Sequence, residues 1–401
     1  MFRTSKVKLG RSYKQEALLL SVLESCRQLY NAALQQRREA YSRQKVSVSL
    51  YEQYGDLTDL RADDPEFKLL PSEMTRLTSL RRLDLAYVSF YRRSKAGKNP
   101  GFPRFKGKGR FDTLISGLGG WKIEGKKLII KAGPTPIVLT MRNKIHRDGE
   151  IKGLRIVKRQ NRWWADFRID VGPAPAVKAP RNEVGIDVGL RTFAKMSDGK
   201  DIDHPHFLKK VLPQVKEAQR DLSSKKKGSN NRKKSKQVLS RISAKVANKR
   251  KDFIFQTVAA LAKEYDGFKV EKLNIVGMLA STRPAPEGMT EKNTRSMRRN
   301  IMDASWGMFI AQLKNKAEEA GFPVVLVNPK GTSQHCSDCG TLVRKALNIR
   351  IHECPVCGLV MDRDENSARN ILQVENDLGC RSVPKDTGTE VTCQDENHTR
   401  W

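Results

Sequence analysis

The 401-residue sequence predicts a multidomain α/β protein: a helical region, a small β-barrel, and an α/β region carrying a four-cysteine zinc ribbon. Three observations predict this. Apolar residues recur at spacings of three and four between Gln15 and Tyr91, then come in short strand-like runs from about 113 to 172. The Pro-rich stretch Gly172-Pro173-Ala174-Pro175-Ala176-Val177-Lys178-Ala179-Pro180 marks a boundary, beyond which strands and long helices alternate. Two Cys-x-x-Cys pairs stand in the last quarter of the chain.

Hydrophobic residues make up 38% of the chain and charged residues 30%, which suits folded but polar domains. Lys and Arg number 76 against 44 Asp and Glu, a net charge of +32. So large a positive charge repels itself in a compact body unless a polyanion neutralises it, which points first to nucleic acid. A ribosomal or chromatin-like binder without chemistry fits the charge equally well, and an anionic membrane fits it less well. No apolar run approaches the roughly 20 residues of a membrane-spanning helix, and the start, Met1-Phe2-Arg3-Thr4, lacks the apolar core of a secretory signal. Four of the seven cysteines form two close pairs, which fits a metal in a reducing compartment better than a disulfide framework. A soluble intracellular protein is expected.

Phe2, Val7 and Leu9 among basic residues suggest one short strand over residues 2–9. Leu18, Leu20, Val22, Leu23, Cys26, Leu29, Tyr30 and Ala33 then trace the buried stripe of a helix. A second helix is expected over Ser72 to Arg92, with Met74, Leu77, Leu80, Leu83, Ala86 and Phe90 packing into a core. Residues 93–111 differ, because glycine and proline exclude a long helix and cations alternate with Phe102, Phe105 and Phe111. Arg104, Phe105 and Lys106 are candidate nucleic-acid contacts, cations for phosphates and an aromatic face for a base. The plainer alternative is a solvated basic loop anchored to a core by its phenylalanines.

A hairpin over Trp121 to Ile130 and strands at Ile137 to Leu139, Leu154 to Val157 and Trp164 to Val171 suggest the small barrel. Beyond the linker, Val184 to Asp187 and Thr192 to Met196 read as paired strands around a Gly-containing turn. Residues 207–264 read as long basic helices interrupted near Lys225 to Lys234, followed by a strand at Phe268 to Leu273. A helix from about Ala304 to Ala320 carries Trp306, Phe309, Ile310, Leu313 and Ala317 on one face and stops at Gly321. Phe322 to Val327 is another strand. The polar end of the chain, with Cys380 and Cys393 isolated in it, is expected to be disordered.

Cys336-Ser337-Asp338-Cys339 and Cys354-Pro355-Val356-Cys357, 14 residues apart, form the strongest local motif. Two such knuckles complete a tetrahedral four-sulfur zinc site, and Gly340 and Gly358 follow them where a tight turn favours glycine. A closed site of this kind is structural. His335 and His352 are surplus to it.

Three acidic segments stand out in so basic a chain. Asp187 lies within an apolar strand that runs into Gly189, Glu271 lies in or at the end of a second strand, and Asp362 and Asp364 open a helix after the ribbon. Phosphodiester hydrolysis by paired Mg²⁺ needs carboxylates converging from separate elements, one metal activating water and the other stabilising the leaving oxygen. Taken singly, Asp362 and Asp364 also suit helix capping, and Glu271 suits an ion pair.

The ordered set Gly185-Ile186-Asp187-Val188-Gly189-Leu190, Val270-Glu271-Lys272-Leu273, the two cysteine knuckles and Asp362-Arg363-Asp364-Glu365-Asn366-Ser367-Ala368 resembles the transposon-encoded TnpB family. Gly101-Phe102-Pro103-Arg104-Phe105 and Ala304-Ser305-Trp306-Gly307-Met308-Phe309 fit the same pattern, and the likeness runs to about residue 375. The resemblance implies an RNase H-like RuvC nuclease domain over 181–330 and 360–376 with the zinc ribbon, 331–359, inserted. It also implies a discontinuous β-barrel wedge domain over 1–12 and 113–178 and a helical recognition domain over 13–112, leaving 377–401 as the tail.

The implied activity is cleavage of double-stranded DNA matching a guide RNA, next to a short motif read by protein. Asp187, Glu271 and Asp364 would be the catalytic carboxylates on Mg²⁺ or Mn²⁺, with Asp362 in reserve for the third. Cys336, Cys339, Cys354 and Cys357 would hold Zn²⁺. Lys225, Lys226, Lys227, Arg232, Lys233, Lys234, Arg241, Lys245, Lys249 and Arg250 are candidate backbone contacts, with a solvated basic helix as the alternative. The expected assembly is a monomeric ribonucleoprotein in the prokaryotic cytoplasm, associated with the nucleoid and not with membrane. An RNA-guided binder that does not cut, a transposase using similar carboxylates, and a plain zinc-ribbon RNA-binding protein are the competing readings.

Overall fold

The computed structural model describes residues 1–160, 162–280, 290–346 and 349–374, so the expected tail, with Cys380 and Cys393, lies outside the described residues. The chain divides into two compact units, Met1–Ala174 and Pro175–Trp401, the division falling inside the Pro-rich stretch.

In the first unit a seven-stranded antiparallel sheet is built from β1 (Phe2–Gly10), β2 (Thr113–Ser116), β3 (Trp121–Glu124), β4 (Lys127–Ile130), β5 (Ile137–Met141), β6 (Glu150–Arg159) and β7 (Arg162–Asp170). Its order is β2-β6-β7-β1-β5-β4-β3. The two edge strands are thus consecutive in the chain, joined by residues 117–120. Seven strands laid flat would put the edges about 29 Å apart, whereas four linking residues reach at most about 18 Å. The sheet is therefore rolled, as a barrel requires. Trp121 on one edge accordingly meets Phe167 of β7 inside it, ring centroids 6.1 Å apart.

The helices of this unit are α1 (Tyr13–Gln44), α2 (Leu50–Asp63), α3 (Pro65–Lys68), α4 (Ser72–Thr75) and α5 (Arg81–Lys95), with a π-helical turn at Arg76–Leu80 joining the last two. Ser12 caps α1 and a Ser49–Glu52 capping box starts α2. The widened turn lets Ser79 donate to the Cys26 carbonyl at 2.7 Å and Thr78 bond the Ile115 backbone. The anticipated Ser72 to Arg92 helix is thus one rod with an adjustment where it meets α1 and β2. Helix α2 carries a thin apolar stripe, only Gln53 and Leu57 being buried, which is why periodicity gave it no separate signal.

The second unit contains β8 (Glu183–Val188), β9 (Thr192–Met196), β10 (Asp201–Asp203), α6 (Phe207–Ser224), α7 (Asn230–Glu264), β11 (Gly267–Glu271), α8 (Ile275–Leu279), α9 (Glu291–Ala304), α10 (Trp306–Ala320) and β12 (Val324–Val327). A hairpin of β13 (Ile351–Glu353) and β14 (Val360–Asp362) then leads into α11 (Arg363–Gln373). The sheet order is β10-β9-β8-β11-β12, with β8, β11 and β12 parallel and β8, β9 and β10 antiparallel. Every residue of β11 is buried. Phe193 packs edge-on against Phe253 and Phe309, seating α7 and α10 on the sheet. Ser305, at φ 57°, separates α9 from α10, so the helix expected from Ala304 begins at Trp306. No helix among the described residues is long and apolar enough to cross a membrane.

Candidate active site and metal centre

Strands β8 and β11 run parallel with Ile186 opposite Val270, so the next residues, Asp187 and Glu271, stand side by side at the carboxyl ends of neighbouring strands. Open α/β sheets form their ligand crevices at such strand ends. Asp187 keeps part of its surface open. Burial, then the negative charges of Glu271 and Asp364, push its carboxyl well above the ordinary carboxylate range, against the pull of Arg363 and the Ser367 hydroxyl. Burial also raises Glu271, which accepts a 2.6 Å hydrogen bond from the Thr332 hydroxyl.

The two aspartates at the start of α11 separate by role. Asp362 is the N-cap, its Oδ1 accepting from the backbone N–H of Asp364 at 2.8 Å and of Glu365 at 3.2 Å. Asp364, in the first turn, is the one whose charge reaches Asp187. Its carboxylate is paired with Arg350 and Arg363, both at 3.2 Å.

Helix α11 lies close on the sheet because Gly185 of β8 has no side chain: a Cβ there would stand 2.1 Å from the Ala368 carbonyl oxygen. Polar residues of α11 also grip the segment leading into the first knuckle. Asn366 donates to the His335 carbonyl at 2.7 Å and accepts from the Ser337 N–H at 2.9 Å. Asn370 donates to the Thr332 carbonyl and Gln373 to the Ser337 carbonyl, each at 2.7 Å. The placement of Asp364 is thereby tied to the cysteine site. Sequence reasoning gave no role to Asn366 and Ser367, though they stand in the quoted motif, and passed over Thr332 and Asn370, since short polar residues beside a charged motif give no periodic signal.

The four sulfurs of Cys336, Cys339, Cys354 and Cys357 lie within 4.8 Å of one another, and among the described residues no other group of three or more potential ligands is so close. The carboxylates are therefore more widely set than the thiols, as like charges are when Asp364 is also drawn by two arginines. The two knuckles repeat one geometry: Gly340 N–H donates to the Cys336 carbonyl at 2.9 Å and Gly358 N–H to the Cys354 carbonyl at 3.0 Å, both glycines having φ near +75°. Hydrogen bonds from the Thr341 hydroxyl and backbone lower the Cys339 thiol to about 6, so a thiolate is accessible at neutral pH. This donor set fits zinc. His335 and His352 lie outside the four-sulfur group.

The candidate phosphate contacts divide. Arg241, Lys245 and Lys249 are exposed and stand at intervals of four along α7, one face of the helix. Lys226, Lys227, Lys233 and Lys234 are exposed around the α6–α7 turn, and Lys225 is half-buried. Arg232 turns back to donate to the Leu222 carbonyl at 2.6 Å and the Lys225 carbonyl at 3.0 Å, closing that turn. Arg250 corrects the sequence expectation: it faces inward, its Nη2 at 2.6 Å and Nε at 2.7 Å from Asp303, whose carboxylate also accepts from Leu208 N–H at the start of α6.

In the first unit Arg104 and Phe105 are exposed, whereas the backbone of Lys106 is clasped by Asn31 and Arg27. Phe102 packs on Tyr87 and Phe90, and Arg38 lies over both Phe102 and Phe105. Phe111 is a core residue.

Residues 166–282 match a family described as "Probable transposase", residues 306–371 one described as "Cas12f1-like, TNB domain", and residues 3–45 one described as "Helix-turn-helix domain". A Streptomyces pristinaespiralis protein called "Putative RNA-guided DNA endonuclease" is 28% identical over 379 residues, covering 92% of this chain and 88% of its own. The Escherichia coli K12 protein "Putative RNA-guided DNA endonuclease InsQ" is 28% identical over 377 residues, covering 92% and 90%. These similarities support a likeness of the chain to the transposon-encoded TnpB family. Its fold is that of the protein in a Cas12f1–sgRNA–target DNA complex, with TM-score 0.57 at 14% identity over 92% of this chain and 98% of the other. Residues 3–45 fold here as β1 and the single helix α1, not as a helix-turn-helix.

Proposed function

We propose that the chain is an RNA-guided DNA endonuclease: it holds a guide RNA transcribed near its transposon end and cleaves matching double-stranded DNA beside a short motif read by protein. The observation that carries this reading is the convergence of Asp187 and Glu271 from neighbouring parallel strands with Asp364 from α11. The mixed five-stranded sheet is read as an RNase H-like, RuvC-type core over 181–330 and 360–376, with the ribbon 331–359 inserted. The rolled sheet (1–12 and 113–178) is read as the wedge domain and the helices of 13–112 as the recognition domain. The names of its relatives support the same reading.

Burial, then the charges of Glu271 and Asp364, raise the Asp187 carboxyl, which marks a site short of positive charge, so Asp187, Glu271 and Asp364 suit a pair of divalent cations with oxygen preference, Mg²⁺ or Mn²⁺. Bound there, the metals would supply activation of water and stabilisation of the leaving oxygen. The chain's own residues set up that site. Thr332 orients the Glu271 carboxylate, Asp362 holds the first turn of α11 by capping it, and Ser367 hydrogen-bonds Asp187. Arg350 and Arg363, both paired with Asp364, are cations at the same place and would be able to meet phosphate oxygens.

Phosphate spacing suits the row Arg241, Lys245 and Lys249, about 6 Å from one to the next along α7. The assembly is read as a monomeric ribonucleoprotein of the prokaryotic cytoplasm and nucleoid.

The test is to purify the protein with its co-expressed RNA, sequence that RNA, and offer matched and mismatched duplexes with a randomised flank in Mg²⁺. Cutting of matched duplex alone is expected. Guided binding without cutting would favour a repressor-like binder, and absence of a specific RNA would overturn the reading.

A further inference from the structure

One buried lysine and one half-buried lysine reach from the sheet to α11, and the capping and ion-pair roles described above involve neither. Lys269 precedes Glu271 by two residues on β11, hence on the same face of the strand. Its side chain is 7% exposed. An ammonium has three N–H donors, and here three acceptors meet them: the Leu372 carbonyl at 2.9 Å, the Val374 carbonyl at 3.0 Å and a Glu183 carboxylate oxygen at 3.5 Å. Two of these are the last carbonyls of α11 and its exit, the negative end of the helix dipole.

Lys195 does the corresponding work at the other end. It is the cross-strand partner of Asp187 on β9 and is 13% exposed. Its ammonium lies 2.6 Å from Asp201 and 3.8 Å from Glu365, and donates to the Gly199 carbonyl at 3.2 Å. Glu365 immediately follows Asp364 and is held from its other side by Arg369 at 2.8 Å. Burying an ammonium is costly unless every donor is matched, and apolar side chains would cover the same surface without that penalty. Directional bonds add something packing does not: they fix the rotation and axial position of a helix over the flat contact that Gly185 permits.

We infer that Lys269 and Lys195 are positioning residues for the carboxylate site, clamping α11 at its two ends so that Asp364 is presented to the same site as Glu271 and Asp187. Lys269 couples the Glu271 strand to the Asp364 helix, and Lys195 couples the Asp187 strand pair to the first turn of that helix. Neither lysine touches the reacting atoms. This rests on the reading of the three carboxylates as divalent-metal ligands.

The test uses the full chain loaded with its guide RNA. Mn²⁺ affinity is followed by electron paramagnetic resonance, and the Mg²⁺ concentration for half-maximal cleavage is measured in parallel, for wild type, Lys269→Met, Lys195→Met, Lys195→Arg and Asp187→Ala. Loss of outer ligands of this kind weakens metal affinity or activity by about ten- to a hundredfold. Both methionine variants are expected to raise the half-saturating Mg²⁺ and weaken Mn²⁺ binding by about that factor, with guide and target binding unchanged. Lys195→Arg should restore most of the response. Should Lys269→Met fail to fold, the Lys195 pair of variants decides. Folded methionine variants with wild-type metal affinity, changed only in melting temperature, would overturn the inference alone. Wild type that binds no Mn²⁺ in an Asp187-dependent way would overturn the carboxylate reading beneath it.

Discussion

Gly185 and Ala368 are in direct backbone contact: a methyl group on Gly185 would lie 2.1 Å from the Ala368 carbonyl oxygen and 2.8 Å from the Leu372 nitrogen. Both obstacles are backbone, so no side chain can move aside. Gly185→Ala is expected to push α11 off β8 and to destabilise the second unit by about 3 kcal/mol, at the upper end of overpacking costs. Thermal denaturation reads the stability, and metal-dependent cleavage should fall with it, because Asp364 rides on α11.

Arg250 and its neighbours on α7 should separate into two phenotypes. Arg250→Ala leaves Asp303, 5% exposed in its side chain, without its cation, so a loss of about 3 kcal/mol in stability is expected. Lys245→Ala should leave stability unchanged, weaken RNA binding, and make the dependence of log affinity on log salt shallower by about one unit. Filter binding across a salt series, beside melting curves, checks both.

The acid–base behaviour of Asp187 gives a prediction for protein freed of divalent metal by EDTA. Its folded pKa is raised by burial and by Glu271 and Asp364, so its favourable contribution is complete below the ordinary carboxylate value and is lost as pH rises through the raised one. Asp187→Asn never acquires that charge. The variant should melt higher than wild type near pH 8, and the two should converge on acidification. Added Mg²⁺ should narrow the gap at pH 8 by stabilising the ionised wild type.

Zinc removal is expected to act at a distance. The protein should carry about one tightly held zinc per chain, lost in Cys354→Ser. Because Asn366, Asn370 and Gln373 grip the backbone around the first knuckle, releasing zinc should loosen α11. Cleavage should then fall and not return with excess Mg²⁺, which metal analysis and cleavage assays after chelation would show.

Much of this was legible in the residues, for identifiable reasons. Strands β8 and β11 announce themselves as apolar runs ending at glycine or a carboxylate, and the Trp121 to Ile130 hairpin and the Gly321 stop lie where period and turn chemistry put them. The knuckles are readable because four thiols at that spacing have one common use. Helix α9 escaped notice because only Met297, Ile301 and Ala304 punctuate its charged surface toward the core, and β10 because three residues carry no period. The choice between Asp362 and Asp364 was open in the sequence, since both side chains suit a helix start; the capping bonds of Asp362 distinguish them. Arg250 could not be told from Lys249 by charge, because its partner Asp303 is 53 residues away in the chain.

Asp187, Glu271 and Asp364 are proposed to form one metal-dependent cleavage site, with Asp362 only capping α11. The most direct measurement is the cleavage rate of a matched duplex by guide-loaded wild type, Asp187→Ala, Glu271→Ala, Asp364→Ala and Asp362→Asn, with target binding measured alongside. The first three substitutions should abolish cutting and leave guided binding intact, whereas Asp362→Asn, which keeps a capping oxygen, should still cut. Persistent cutting by Asp364→Ala, or its loss in Asp362→Asn alone, would overturn that assignment of roles.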